Sequence, residues 1–399
     1  MTAPATVPLA QARAHVLVKQ GLAGDGLDGV MDAVVATAGI YGTAPTCYLS
    51  CAARVRDFRI AQLDEELYAE RSVVRLRCMR GGMSYIEPLD LLPALAACTG
   101  EPPAKTLKRV AKWGGLSEDE ALALADRVEV VMAGKPPLTL KEIRELLGDV
   151  PGDKAALQMT VALLGRTGRI VRSEVRGSWR SDNYAYARWA DWLGAPLERV
   201  EPDAGRVQLA RRYLRAVGPA SSNDLQWWSG WSKRDTAAAV AALGEELAAV
   251  SLDGGDAWVA AEELEQLTGT DPAEGRGVRL LPVWDAYFMA YATSPAGRAR
   301  QVAPADYGRI YDKSGNGTST VAVDGVAAGV WELDPDAGTV TVAPFGRPLA
   351  SRWSELEAQA ARLAEAIGAE LGLQRSAAPG PLADGARNAY LSPISLGKR

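Results

Sequence analysis

Arginines and lysines recur in this chain at spacings that suit phosphate. Arg169, Arg172 and Arg176 stand three and four residues apart in GRIVRSEVRG, and Lys233 with Arg234 follows Ser232 at the head of an alanine-rich pattern. Cations on a ribbon, or in the first turn of a helix, are placed to meet a nucleic-acid backbone, because both present donors to phosphate oxygens. Other chemistries lack their residues. A single histidine, His15, argues against a Ser-His-Asp hydrolase. The four cysteines, Cys47, Cys51, Cys78 and Cys98, would need an unusual ligand set to hold zinc and are expected to be buried, reduced thiols. GDGLDG at 24–29 has no strand before it and is taken as a loop rather than a dinucleotide fingerprint. No cofactor and no metal are expected.

Positioning such cations takes a folded scaffold, and 399 residues with 48% hydrophobic content supply enough for two or three domains. The N-terminus lacks a basic start followed by an apolar core, and no apolar run is long enough to cross a bilayer. A cytoplasmic protein without membrane contact is expected. The net charge of −5 does not by itself announce a DNA-binding protein, since the cations are clustered rather than in excess. Those clusters fit either a polarised surface or ordinary solvated faces.

The elements come in a repeated order. Thr139 with Glu142 forms a capping box before LKEIRELL, a second helical pattern follows in DKAALQMTVALLGRTG, and the period then changes to alternation around Gly177. Helix, helix and hairpin is the winged-helix order, in which a helix enters a groove and the wing lies on the backbone. VQLARRYLRAV at 207–217 begins it again. Ser222 can cap DLQWWSG, Ser232 can cap KRDTAAAVAALGEEL as the candidate recognition helix, and a hairpin turns at Gly254-Gly255. Trp227, Trp228 and Trp231 then lie where three helices meet, a core position for aromatics. Helical patterns near 8–20, 27–38 and 43–54, with a strand pair turning at Gly81-Gly82, suggest a third such unit.

The fold class expected is therefore α+β: tandem winged-helix domains forming a concave DNA-binding face, with a β-rich C-terminal part. The units run 1–100, 139–200 and 201–275, with a helical connector at 101–138. A β-rich region closing on a long helix occupies 276–375, and 376–399 is a Pro/Gly/Ala-rich tail expected to be loosely ordered. Arg80, at the first strand turn, joins Arg169, Arg172, Arg176, Lys233 and Arg234 as the expected DNA-binding residues.

At this point the chain resembles a family, the winged-helix DNA glycosylases of the AlkZ and YcaQ kind. The resemblance rests on RLRCMRGGMSYIEPLDLLP, GRIVRSEVRGSWRSDNYAYARWADWLG, ARRYLRAVGPASSNDLQWWSGWSKR, RLLPVWDAYFMAYA and VDGVAAGVWEL, in the family's order and over nearly the full length. It implies a monomeric N-glycosyl hydrolase that acts on double-stranded, alkylated DNA, removes bulky N7-alkylguanine adducts, and protects a genotoxin producer from its own product.

The family's catalytic motif is Gln-x-Gln or Gln-x-Asp followed by a proline. Aligning that proline with Pro45 in AGIYGTAP puts Tyr41 and Thr43 at the two motif positions, and the family's strand histidine falls on Ser84. An N7-alkylated guanine is already cationic, so its departure asks mainly for a positioned water and stabilisation of developing charge. Thr43 can orient such a water, Tyr41 is a poor base at neutral pH, and Asp57 supplies a carboxylate if the fold brings it near. Two other readings stand beside the glycosylase. One is a non-catalytic DNA-binding member that senses lesions or regulates; the other is a resistance protein that sequesters the drug itself.

Overall fold

The computed structural model describes residues 4–375 apart from 80–82, 92–93, 96, 98–102, 154, 199, 294–296, 313–314, 347–348 and 350. Its strands are β1 (Ala5–Val7), β2 (Ile40–Tyr41), β3 (Val73–Cys78), β4 (Met83–Pro88), β5 (Leu138–Thr139), β6 (Ile170–Val175), β7 (Tyr184–Arg188), β8 (Leu247–Leu252), β9 (Gly255–Ala260), β10 (Val278–Leu281), β11 (Thr320–Val323), β12 (Val326–Asp334), β13 (Thr339–Pro344) and β14 (Gly372–Arg375). They form three sheets, ordered β1-β8-β9, β2-β4-β3-β6-β7-β5 and β10-β11-β12-β13-β14. The mixed α+β class is as expected.

Both helix-helix-hairpin orders are present. In the first, Thr139 and Glu142 exchange capping bonds, Glu142 N donating to the Thr139 hydroxyl at 3.3 Å and Thr139 N to the Glu142 carboxylate at 2.6 Å. Leu140–Leu147 follows, then Ala156–Arg166 and the β6-β7 hairpin. In the second, the chain runs Pro202–Val217, Ser222–Ser229, Lys233–Leu243 and the β8-β9 hairpin. Ser232 caps its helix as expected, accepting from Asp235 N at 3.1 Å. Two local assignments shift by one residue. The helix Ser222–Ser229 is capped by Ser221, whose hydroxyl accepts from Asp224 N at 3.1 Å. The hairpin turns at Asp253-Gly254, both with positive φ (48° and 82°), the backbone that a tight two-residue turn needs.

Pairing across the repeats builds what positions the site. β3 meets β6 at one rung, Arg75 opposite Arg172, so strands from residues 40–88 and 138–188 share a sheet. β1 runs parallel to β8, sewing the N-terminus to the second hairpin. The β-rich C-terminal region is present, and its closing helix, Trp353–Ile367, ends at Gly368 in the left-handed conformation. The chain then adds β14 parallel to β13, a strand the sequence pattern does not announce. This sheet, through Val278, Trp331 and Val340, and the closing helix, through Leu356, share one core with the helix Thr46–Arg54; each buried aliphatic side chain there contributes roughly 1.5–3 kcal/mol. Trp228 and Trp231 are core residues, with Trp228 4.8 Å from the ring of Tyr213. No helix among the described residues is long and apolar enough to cross a membrane.

Candidate active-site segment and basic surface

The segment 41–45 is held from three sides. β2 pairs with β4, placing Tyr41 opposite Tyr85, and the Tyr41 ring meets Tyr85 edge-on at 6.2 Å. On its other side the ring of Trp284 lies 4.6 Å away. Trp284 has φ 54°, a left-handed backbone that is unusual for a bulky residue and is retained where surrounding packing over-determines it. Arg75 Nε donates to the Gly42 carbonyl at 3.0 Å, and Ala44 N donates to the Tyr184 hydroxyl at 3.1 Å. The Thr43 carbonyl accepts from Cys47 N at 3.2 Å, starting the helix Thr46–Arg54. Tyr41 is 9% exposed, so its ring is largely a packing element, whereas Thr43 is half-buried.

Behind this segment lies a polar network that the sequence did not suggest. Arg75 Nη1 donates to the Tyr68 hydroxyl at 2.7 Å, and the Tyr48 hydroxyl donates to Asp64 at 2.6 Å. Asp64 is therefore a carboxylate bonded to the helix that follows Thr43, as is Asp285 through Ser50 and Arg54. Asp57 is not. It is exposed beyond the far end of Thr46–Arg54, about 13 Å of helix away at 1.5 Å per residue, and lines a surface pocket with Arg56, Arg59 and Arg362. The Asp57 expectation is corrected on that ground: the helix carries it away from the segment. Asp64 was missed because its contact with Tyr48 joins two helices, Thr46–Arg54 and Ile60–Asp64, whose packing leaves no pattern in the sequence.

Electrostatically the network is a set of retained protons around a fixed cation. Burial pushes the Tyr68 and Tyr184 hydroxyls up, with Arg75 acting in the opposite sense, so both are protonated at neutral pH. Burial also pushes the Cys47 thiol up despite Arg75 at 3.9 Å from its sulfur. Cys47, Cys51 and Cys78 are buried and unbridged, which suits inert thiols rather than nucleophiles. Cys98 lies outside the described residues. No cluster of His, Cys, Asp and Glu among the described residues is arranged to hold a metal.

The expected DNA-binding cations fall into different surroundings. Arg169 is bound to Asp126, at 2.7 Å, and to Glu129, which ties β6 to the helix Glu118–Met132. Arg176 is exposed but bridges to Glu174 at 2.9 Å. Arg172 lies over the Tyr184 ring at 4.5 Å, which puts it one ring away from Ala44. Lys233 and Arg234 are exposed in the first turn of Lys233–Leu243, within the second helix-helix-hairpin; Arg234 is 92% exposed and 3.4 Å from Asp235. Arg80 and the turn at Gly81-Gly82 lie outside the described residues.

Comparison with known proteins agrees with this architecture. Residues 31–366 match a family described as DNA glycosylase AlkZ-like. A relative from Streptomyces sahachiroi named an interstrand DNA cross-link repair glycosylase is 25% identical over 312 residues, covering 75% of this chain and 80% of the relative. The structure of Streptomyces sahachiroi DNA glycosylase AlkZ superposes with a TM-score of 0.74 at 21% identity, over 93% of this chain and all of that one.

Proposed function

The chain belongs to the AlkZ-like DNA glycosylase family, and from that premise we propose that it binds double-stranded DNA as a cytoplasmic monomer and excises bulky N7-alkylguanine adducts. The reaction is hydrolysis: water adds at C1′ as the C1′–N9 bond breaks, its electron pair going to N9 so that the alkylated base leaves neutral, a water proton passing to solvent and an abasic sugar with a hydroxyl at C1′ remaining. The observation that carries the reading is the clamped segment 41–45. Its backbone is fixed by Arg75 and Tyr184 while the Thr43 side chain remains accessible, as positioning a water requires. The base is cationic and leaves readily, so an oriented water can suffice without a strong general base. The relative's name, an interstrand cross-link repair glycosylase, supports bulky adducts as the substrate class; the setting we propose is self-resistance to a genotoxin.

Binding falls to Arg80, Arg169, Arg172, Arg176, Lys233 and Arg234; Arg169 and Arg176 each meet carboxylates that a phosphate would have to displace. A non-catalytic DNA-binding role is the second reading, favoured by the burial of Tyr41, which leaves Thr43 as the exposed member of the motif pair. Excision from duplex DNA bearing methyl and bulky N7 adducts, scored as abasic sites against spontaneous depurination, separates them. Thr43→Ala is expected to slow single-turnover excision on the order of a hundredfold, as loss of one positioned group does. Tyr41→Phe is expected to change it little. DNA binding without excision of any adduct rejects the enzyme. Excision unaffected by Thr43→Ala places the water elsewhere, with Asp64→Asn the next substitution.

A further inference from the structure

We propose that the Arg75–Arg172 rung of the six-stranded sheet is a binding site for one phosphate of the DNA backbone, set directly beside the segment 41–45. This rests on the DNA-binding reading above and assigns one phosphate to one place. The two arginines are Cα partners across β3 and β6, so their side chains leave the same face side by side. Like charges directly opposite one another destabilise a sheet, and here neutral acceptors and aromatic rings offset them without supplying a negative charge. Neither guanidinium is paired with a carboxylate among the described residues. Arg75, 2% exposed, gives its donors to the Gly42 carbonyl, the Tyr68 hydroxyl and the Cys47 sulfur, all formally neutral. Arg172 lies over Tyr184 at 4.5 Å, and the same ring lies 5.7 Å from Arg75.

The neighbouring arginines are each matched with an acid. Arg169 has Asp126 and Glu129, Arg176 has Glu174, Arg180 has Asp336 and Arg188 has Asp191. On a hairpin whose other cations are matched with acids, Arg172 stands opposite a second cation instead. Both line a cavity of about 90 Å³ together with Gln158, Gly165 and Tyr186. A water needs about 10–15 Å³ by that measure, so a tetrahedral oxyanion has room. A guanidinium fork matches phosphate oxygens geometrically, and a backbone phosphate here places one negative charge between the two cations. The position also matters for chemistry. Tyr184 touches Arg172 through its ring and Ala44 through its hydroxyl, so a bound phosphodiester is registered against the segment that carries Thr43.

The test measures duplex-DNA affinity against salt concentration for wild type, Arg172→Met, Arg172→Lys and Arg188→Met. Each phosphate contact contributes about 0.9 to the slope of log affinity on log salt. Arg172→Met is expected to lose about that much and to weaken binding about tenfold, the usual worth of a hydrogen-bonded charge. Arg172→Lys should retain the slope, and Arg188→Met, which removes an acid-paired cation, should leave it unchanged. An Arg172→Met slope equal to wild type overturns the assignment. In a second arm, inorganic phosphate is compared with chloride at matched ionic strength, reading thermal unfolding. Stabilisation by phosphate that disappears in Arg172→Met supports the site even if wild type fails to bind DNA, a result that would reject the proposed function separately. Phosphate stabilisation with an unchanged DNA slope assigns the site to a free phosphate and overturns the DNA assignment.

Discussion

Glu87 sits where its charged form is penalised. The side chain is fully buried on β4, Arg212 reaches one oxygen at 3.2 Å, and the other oxygen has no hydrogen-bond partner. Burial, only partly offset by Arg212, pushes its carboxyl up to about 7. In the unfolded chain the group titrates near the ordinary carboxylate value, so between about pH 4.5 and 7 the folded state keeps a proton that the unfolded state has lost. Its contribution to stability is therefore fully present below about pH 4.5 and is lost as pH rises through 7, on the order of 3 kcal/mol in all. Glu87→Gln should flatten that part of the stability profile, measured by urea unfolding at several pH values; an unchanged profile would place the titration elsewhere. The neighbouring Gly39, with φ 94°, explains itself by the same carboxylate: a Cβ there would lie 2.0 Å from a Glu87 oxygen. Residue-scale legibility was uneven. The Thr139–Glu142 box is a local pattern and could be read from spacing, whereas the association of Asp64 rather than Asp57 with the site is a packing fact.

At the scale of elements, one carboxylate organises the helix Ser222–Ser229. Asp224 accepts from Ser221 N at 2.9 Å and from the Ser221 hydroxyl at 2.7 Å, closing the capping box, and its other oxygen accepts from Ala292 N at 2.9 Å. Arg300 lies 4.0 Å away, and both partners are buried. Asp224→Ala thus strands several buried donors and a cation, with an expected cost of roughly 3–5 kcal/mol. Ser221→Ala should cost about 1 kcal/mol, and Ser222→Ala well under that, because Ser222 does not cap the helix. Equal effects of the two serine substitutions in chemical denaturation would contradict the assignment. The paired serines explain the one-residue ambiguity in the sequence: both are good caps, and the tertiary bond from Ala292 to Asp224 fixes the frame. Hairpins were legible because alternation is local. The joining of β3 to β6, of β1 to β8 and of β14 to β13 was not, since each is a contact between distant segments that leaves no periodic signature.

Across the whole molecule, the resemblance carried in the sequence anticipated the architecture, while the bonds that lock its ends together emerge only in three dimensions. The chief of these joins the helix Thr46–Arg54 to the segment leading from β10. Arg54 donates to both Asp285 oxygens at 2.8 and 2.7 Å, with both side chains wholly buried. Asp285 also accepts from the Ser50 hydroxyl at 3.1 Å and from Tyr287 N at 2.9 Å. Removing one partner leaves an uncompensated charge in the interior, so Asp285→Leu is expected to cost roughly 3–5 kcal/mol. Replacing both by apolar groups removes the charge along with its desolvation penalty; Arg54→Met combined with Asp285→Leu should recover much of the loss. Urea unfolding followed by tryptophan fluorescence and far-ultraviolet circular dichroism gives both numbers and a check on cooperativity. Because the pair bridges the first and last thirds of the chain, and β1 bridges the N-terminus to β8, the two probes should report one coincident transition in wild type. If the double variant is as unstable as Asp285→Leu alone, the ion pair matters through the Ser50 and Tyr287 donors that it satisfies rather than through its charge balance.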